Sequence, residues 1–66
     1  MNDRVLRAIQ RAQAIATAEQ HLKDAEYAVN KAYLAIVGED NTSDLLTACI
    51  RLRVVLDETV IEAHKL

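Results

Sequence analysis

The chain has 66 residues, a formal net charge of −2 at neutral pH, 52% hydrophobic residues, no proline, one glycine and one cysteine. That length allows one small domain, the lone Cys49 excludes an intrachain disulfide, and no Cys/His cluster offers a structural zinc site. A core of this size rarely contributes more than about 3–5 kcal/mol unaided, so oligomerisation is the remaining device, and the mild negative charge argues against a nucleic-acid partner.

At the N-terminus, Asp3, Arg4, Arg7 and Arg11 interrupt any apolar core of the kind a signal peptide needs. No apolar run approaches the ~20 residues of a membrane span, so a soluble, cytoplasmic protein is expected. Residues 3–37 contain no breaker and carry nine of the eleven alanines, which predicts one long helix with Asn2 or Asp3 as its N-cap. Gly38 fits the left-handed position that ends many helices, and residues 38–42 form the connection. Asn41, Thr42 or Ser43 caps a second helix over 43–65, with Asp44 and Lys65 suited to the two ends of its macrodipole. So short a connection forces the helices antiparallel, and the chain reads as a single all-α helical-hairpin domain spanning 1–66.

The first helix carries an alternating seam of large and small residues: Ile15, Ala18, Leu22, Ala25, Val29, Ala32 and Ile36. This 3/4 spacing is that of a helix lying along another at a shallow angle. The second helix repeats it through Leu45, Cys49, Leu52, Leu56, Thr59, Ala63 and Leu66. Placing Ile36 opposite Leu45 makes paired residue numbers add to 81, and Cys49 then faces Ala32 and Leu56 faces Ala25. Thr59 is the one polar member, with a hydroxyl able to bond the preceding turn.

Two apolar surpluses remain. Residues 1–14, about 20 Å of helix, overhang this pairing and carry Val5, Leu6 and Ile9. The second helix has a further stripe through Leu46, Ile50, Val54 and Ile61, and a helix apolar on two sides is buried on two sides. Association of two hairpins through these residues, as a homodimeric four-helix bundle, accounts for both.

Candidate chemistry is sparse. Arg4, Arg7 and Arg11 share one face of the overhang and either contact phosphate or an acidic patch on a partner, or pair with acids of the same assembly: Asp57, Glu58 and Glu62 beside the overhang and Glu39, Asp40 and Asp44 at the loop. His21 and His64 approach one another near Glu19 and Glu62 but lack the i, i+4 pairing of a helix metal motif, so both read as structural. Cys49 reads as a small buried hydrophobe without a base beside it. No catalytic constellation, metal site or cofactor site is expected. Tyr33 reads as a bundle-edge filler and Tyr27 as a candidate contact in a binding surface.

In layout the chain resembles the plasmid-encoded, RNA-binding hairpins of the Rop type, which are likewise short, Ala-rich and dimeric. The likeness covers length and heptad arrangement over most of the chain, without a shared motif, and implies fold alone. Function is therefore expected to be binding. The leading expectation is a small non-enzymatic regulator that engages and inhibits another protein, such as a phage- or plasmid-encoded anti-activator of a host regulator. A dimeric RNA-binding hairpin and a purely structural dimerisation module are the alternatives.

Overall fold

The computed structural model describes residues 2–66 as two helices, α1 (Asn2–Ile36) and α2 (Ser43–His64), packed against each other as a hairpin. No strand occurs among the described residues. Both helices end within one residue of the expected positions. The Cα trace spans 61 × 15 × 11 Å, a rod two helices wide.

The connection is built from two left-handed residues and one hydroxyl. Gly38 has φ 89°, the conformation expected of it, and Asn41 has φ 61°, which asparagine tolerates better than most residues. The Val37 N–H donates to Tyr33 O at 2.9 Å, closing the last turn of α1, and the Glu39 N–H donates to Ile36 O at 3.0 Å. Thr42 occupies the position before α2, and the Leu46 N–H donates to its carbonyl at 2.8 Å. Its side chain does not cap α2. The hydroxyl turns back and donates to Glu39 O at 2.8 Å and Ile36 O at 3.3 Å, tying the loop to the end of α1. The other terminus also differs from expectation: Asn2 and Asp3 both lie inside α1.

The pairing of the helices is rotated from the expected seam. The half-buried row of α1 runs Ile15, Glu19, Leu22, Glu26, Val29, Tyr33 and Ile36, with Ala25 and Asn30 on its flanks. The row of α2 runs Thr42, Leu46, Cys49, Leu56, Val60 and Ala63, and Cys49, 9% exposed, is the one residue classed as buried among those described. These rows match when residue numbers add to 82, which sets Leu46 against Ile36, Cys49 against Tyr33 and Val60 against Leu22. Ala18 and Ala32, expected in the seam of α1, are exposed, as are Leu45, Leu52, Thr59 and Leu66 of α2. A helix turns 100° per residue, and the a/d pattern of this sequence is centred roughly 50° away from the row that meets the other helix. The contact row thus takes the long side chains Glu19, Glu26 and Tyr33 and leaves the small ones to solvent. Thr59 does bond the preceding turn, through its hydroxyl to Val55 O at 2.6 Å, and Thr47 does the same to Ser43 O at 2.9 Å.

A Cβ placed on Gly38 meets nothing within 4 Å, so a substitution there is opposed by the backbone alone. Gly38→Ala is expected to destabilise the chain by about 1–2 kcal/mol, the cost of holding an L-residue in the left-handed region. Urea denaturation followed by circular dichroism at fixed protein concentration measures it.

Candidate interaction surface

The surface of the hairpin is its most developed feature. The chain exposes 5533 Å². A compact folded chain of 7.4 kDa exposes about 4,200 Å², so the excess is about a third. Much of it is apolar: Val5, Leu6, Ile9, Leu34, Leu45, Ile50, Leu52, Val54, Val55 and Ile61 are each about half exposed or more. These residues are spread over the overhang and both broad faces of the hairpin.

The two broad faces of the hairpin differ in chemistry. Shallow grooves place Glu26 beside Ile50, Arg53, Val54 and Asp57, and Glu19 and Lys23 beside Val60, Ile61 and His64. One face is therefore mixed, with apolar residues set among charges. Across it, Glu19 Oε1 lies 3.1 Å from His64 Nδ1, and Lys23 Nζ lies 4.0 Å from Glu19 Oε2. Helical periodicity puts Ala14, Ala18, His21, Ala25, Ala28 and Ala32 of α1 on the opposite face, alongside Leu45, Ala48, Leu52, Val55 and Thr59 of α2. That second face carries one charged residue, Glu62, which follows Ala48 and Val55 in the same row near the end of α2. The face is an alanine row beside a leucine-rich row, shallow because the alanines are short.

The expected interface residues divide between these environments. Leu46 leaves the second stripe and sits half-buried against α1. Ile50, Val54 and Ile61, at 48%, 52% and 48% exposure, belong to the mixed face rather than to an uninterrupted apolar one. Val5, Leu6 and Ile9 stand on the overhang at 62%, 53% and 50% exposure. Residues 2–14 are all exposed, and Leu66 lies near Ala8, Arg11 and Ala12.

Arg4, Arg7 and Arg11 share no ion pair with Asp57, Glu58 or Glu62; the ion pairs among the described residues are Lys23–Glu19 and Lys65–Glu62, and His64 is hydrogen-bonded to Glu19. His64 is brought to Glu19, while His21 lies on the other face, so the two imidazoles are separated. No group of three or more His, Cys, Asp or Glu side chains among the described residues is arranged to hold a metal ion. Tyr27 is 64% exposed with the Lys31 ammonium 4.9 Å above its ring, a cation–π contact worth about 0.5–1 kcal/mol at such a site. Tyr33 is half-buried at the contact row.

Sequence reasoning missed the alanine–leucine face and the buried part of Glu26. The first was signalled by the a/d alanines themselves, read as lying against the other helix of the hairpin. The second had no signal, since a glutamate among alanines reads as solvated. Compared with known protein families, curated proteins and solved structures, the chain matches none, so its function is read from its own residues.

One carboxylate oxygen of Glu26 is buried without a hydrogen-bond partner in the protein, although Arg53 lines the same groove. Burial of an unpaired polar group is costly, and an apolar replacement of similar volume removes that cost. Glu26→Leu is therefore expected to raise stability by about 1 kcal/mol in chemical denaturation. Loss of stability on that change would mean that Glu26 is paired in solution.

Proposed function

We propose that the chain is a small non-enzymatic regulatory protein of the cytoplasm that assembles as a homodimeric four-helix bundle and binds and inhibits another protein, as a phage- or plasmid-encoded anti-activator of a host regulator does. The observation that carries this reading is the exposure of large apolar side chains on more than one side of a two-helix rod. Self-association accounts for one apolar face. The mixed face, where Ile50, Val54 and Ile61 are set among charges, has the composition of a surface that alternates between water and a partner. Tyr27 and the apolar residues of the overhang extend the available surface, and amphipathic helices of this kind engage partners by laying an apolar stripe in a groove. No helix is long and apolar enough to cross a membrane.

The test is co-purification with the full chain from cells that contain its target, against the double variant Ile50→Lys, Val54→Lys. Recovery of the target is expected to fall about tenfold or more, because each lysine places a charge where apolar surface is desolvated. Undiminished recovery would remove the mixed face from the reading, and deletion of residues 1–11 then tests the overhang.

A second reading rests on Arg4, Arg7 and Arg11, none of them in an ion pair among the described residues and all on one side of the overhang. Two copies would offer six arginines to an RNA backbone. Six phosphate contacts give a slope of about −4 to −5 in log K against log salt, and a flat salt dependence with RNA excludes this alternative. A purely structural dimerisation module predicts instead that neither RNA nor a target protein is recovered.

A further inference from the structure

The alanine–leucine face is a largely apolar surface whose one charged member is Glu62, and exposed charges of opposite sign stand beyond its two ends. At the open end of the hairpin, Arg4, Arg7 and Arg11 stand on the overhang; at the closed end stand Glu39, Asp40 and Asp44. All six are exposed and none takes part in an ion pair among the described residues. Resting on the dimeric reading above, we infer that this face is covered by a second copy of the chain in head-to-tail orientation, with the overhang of each copy reaching over the acidic loop of the other.

Three observations lead there. The first is area. The paired region, about 22 residues long and two helices wide, measures roughly 33 by 20 Å, so a second copy buries about 1,300 Å² in total, within the range of specific interfaces. The second is shape. Ala18, Ala25 and Ala32 recur on α1 every seven residues, and a row of methyl groups lets two such helices approach closely. The mixed face offers instead long charged side chains at Glu19, Lys23, Arg53 and Asp57, which self-pairing would have to desolvate.

The third is charge, which selects the orientation. Two hairpins stacked through this face around a two-fold axis have their loops either at the same end or at opposite ends. With loops together, six acidic side chains crowd one end and six arginines the other, each cluster repelling itself. With loops apart, α1 lies over α1 of the second copy, running the other way. Arg11 lies about 6 Å and Arg7 about 12 Å beyond Ile15, at 1.5 Å per residue, level with and just past the second loop. Each end of the bundle then pairs arginines with acids. In such an assembly the overhang is a clasp, and its length is set by the need to pass the loop of the other copy.

The experiment joins mass, face and orientation on the full chain. Light scattering during size exclusion is expected to give a dimer at about 100 µM, and a monomer there overturns the inference. Leu52 and Val54 are almost equally exposed, at 48% and 52%, but lie on opposite faces, so Leu52→Glu and Val54→Glu form a matched pair. Leu52→Glu is expected to weaken self-association at least tenfold while Val54→Glu leaves it within threefold; the reverse result assigns self-association to the mixed face. Loss of target recovery by Val54→Glu with the dimer intact would concern the regulatory reading alone, so the two failures are distinguishable. For orientation, a spin label on Ser43→Cys in a Cys49→Ala background is expected to report a distance of about 35–40 Å between copies, from 25 residues of helical rise. A distance under about 20 Å means loops together and overturns the clasp. Charge exchange needs no label and keeps Cys49. Arg7→Glu with Arg11→Glu is expected to weaken the dimer about tenfold at low salt, and adding Glu39→Arg with Asp40→Arg to restore it to within about threefold. Indifference of the dimer to both changes also overturns the clasp.

Discussion

Two helices meet along one line. Each can turn a single row of side chains towards the other, and everything beside that row stays in contact with water unless something else covers it. This constraint governs the whole chain. In the hairpin the row holds Leu22, Val29, Tyr33 and Ile36 of α1 against Leu46, Cys49, Leu56 and Val60 of α2, yet most of these are only half-buried. A layered domain surrounds its core residues from several directions, whereas a hairpin touches them from one. The apolar content of α2, spread over three rows, exceeds what one line of contact can cover.

The division of labour between the faces follows from side-chain size and charge. The face that carries Glu19, Lys23, Glu26, Arg53, Asp57 and His64 satisfies part of its polarity internally, through the contacts of Glu19 with Lys23 and His64. Each of those pairs is solvent-exposed on at least one side and contributes at most about 1 kcal/mol, so they tune the pairing of the helices rather than hold it. The alanine–leucine face is poorer in polar groups, which are His21, Thr59 and Glu62. The same sequence therefore gives one surface rich in charge and one that is predominantly apolar.

Helix limits were legible because they depend on local chemistry. An unbroken run of good helix formers, one glycine at the stop and a polar cluster before the restart determine Ile36, Gly38 and Ser43 almost without reference to the rest of the molecule. The facing of the helices was not legible to the same degree. Periodicity shows that an apolar stripe exists, but α2 has rows through Leu45 and Leu52, through Leu46 and Val60, and through Ile50 and Ile61, and all have acceptable spacing. Which row meets α1 depends on long side chains that a hydrophobic criterion ignores: Glu19 and Glu26 lie half-buried in the contact row, and one carboxylate oxygen of Glu26 is buried there. The back-bonded hydroxyl of Thr42 was hidden for a similar reason, since a threonine before a helix is chemically equipped to cap it or to hold the preceding loop. Among the candidate site residues, exposure of Tyr27 and of the arginine stripe could be read from the sequence, while the absence of internal partners for those arginines required coordinates.

Cys49 has a consequence of its own. It is the most enclosed side chain of the described residues and also the sole thiol in the chain, and it sits in the middle of the line where the helices touch. A reagent that alkylates thiols can reach it only when that line parts. The pace of its modification therefore clocks the breathing of the native hairpin, with no added probe and no denaturant. The natural chain is its own stopwatch for how often two helices with so little between them come apart.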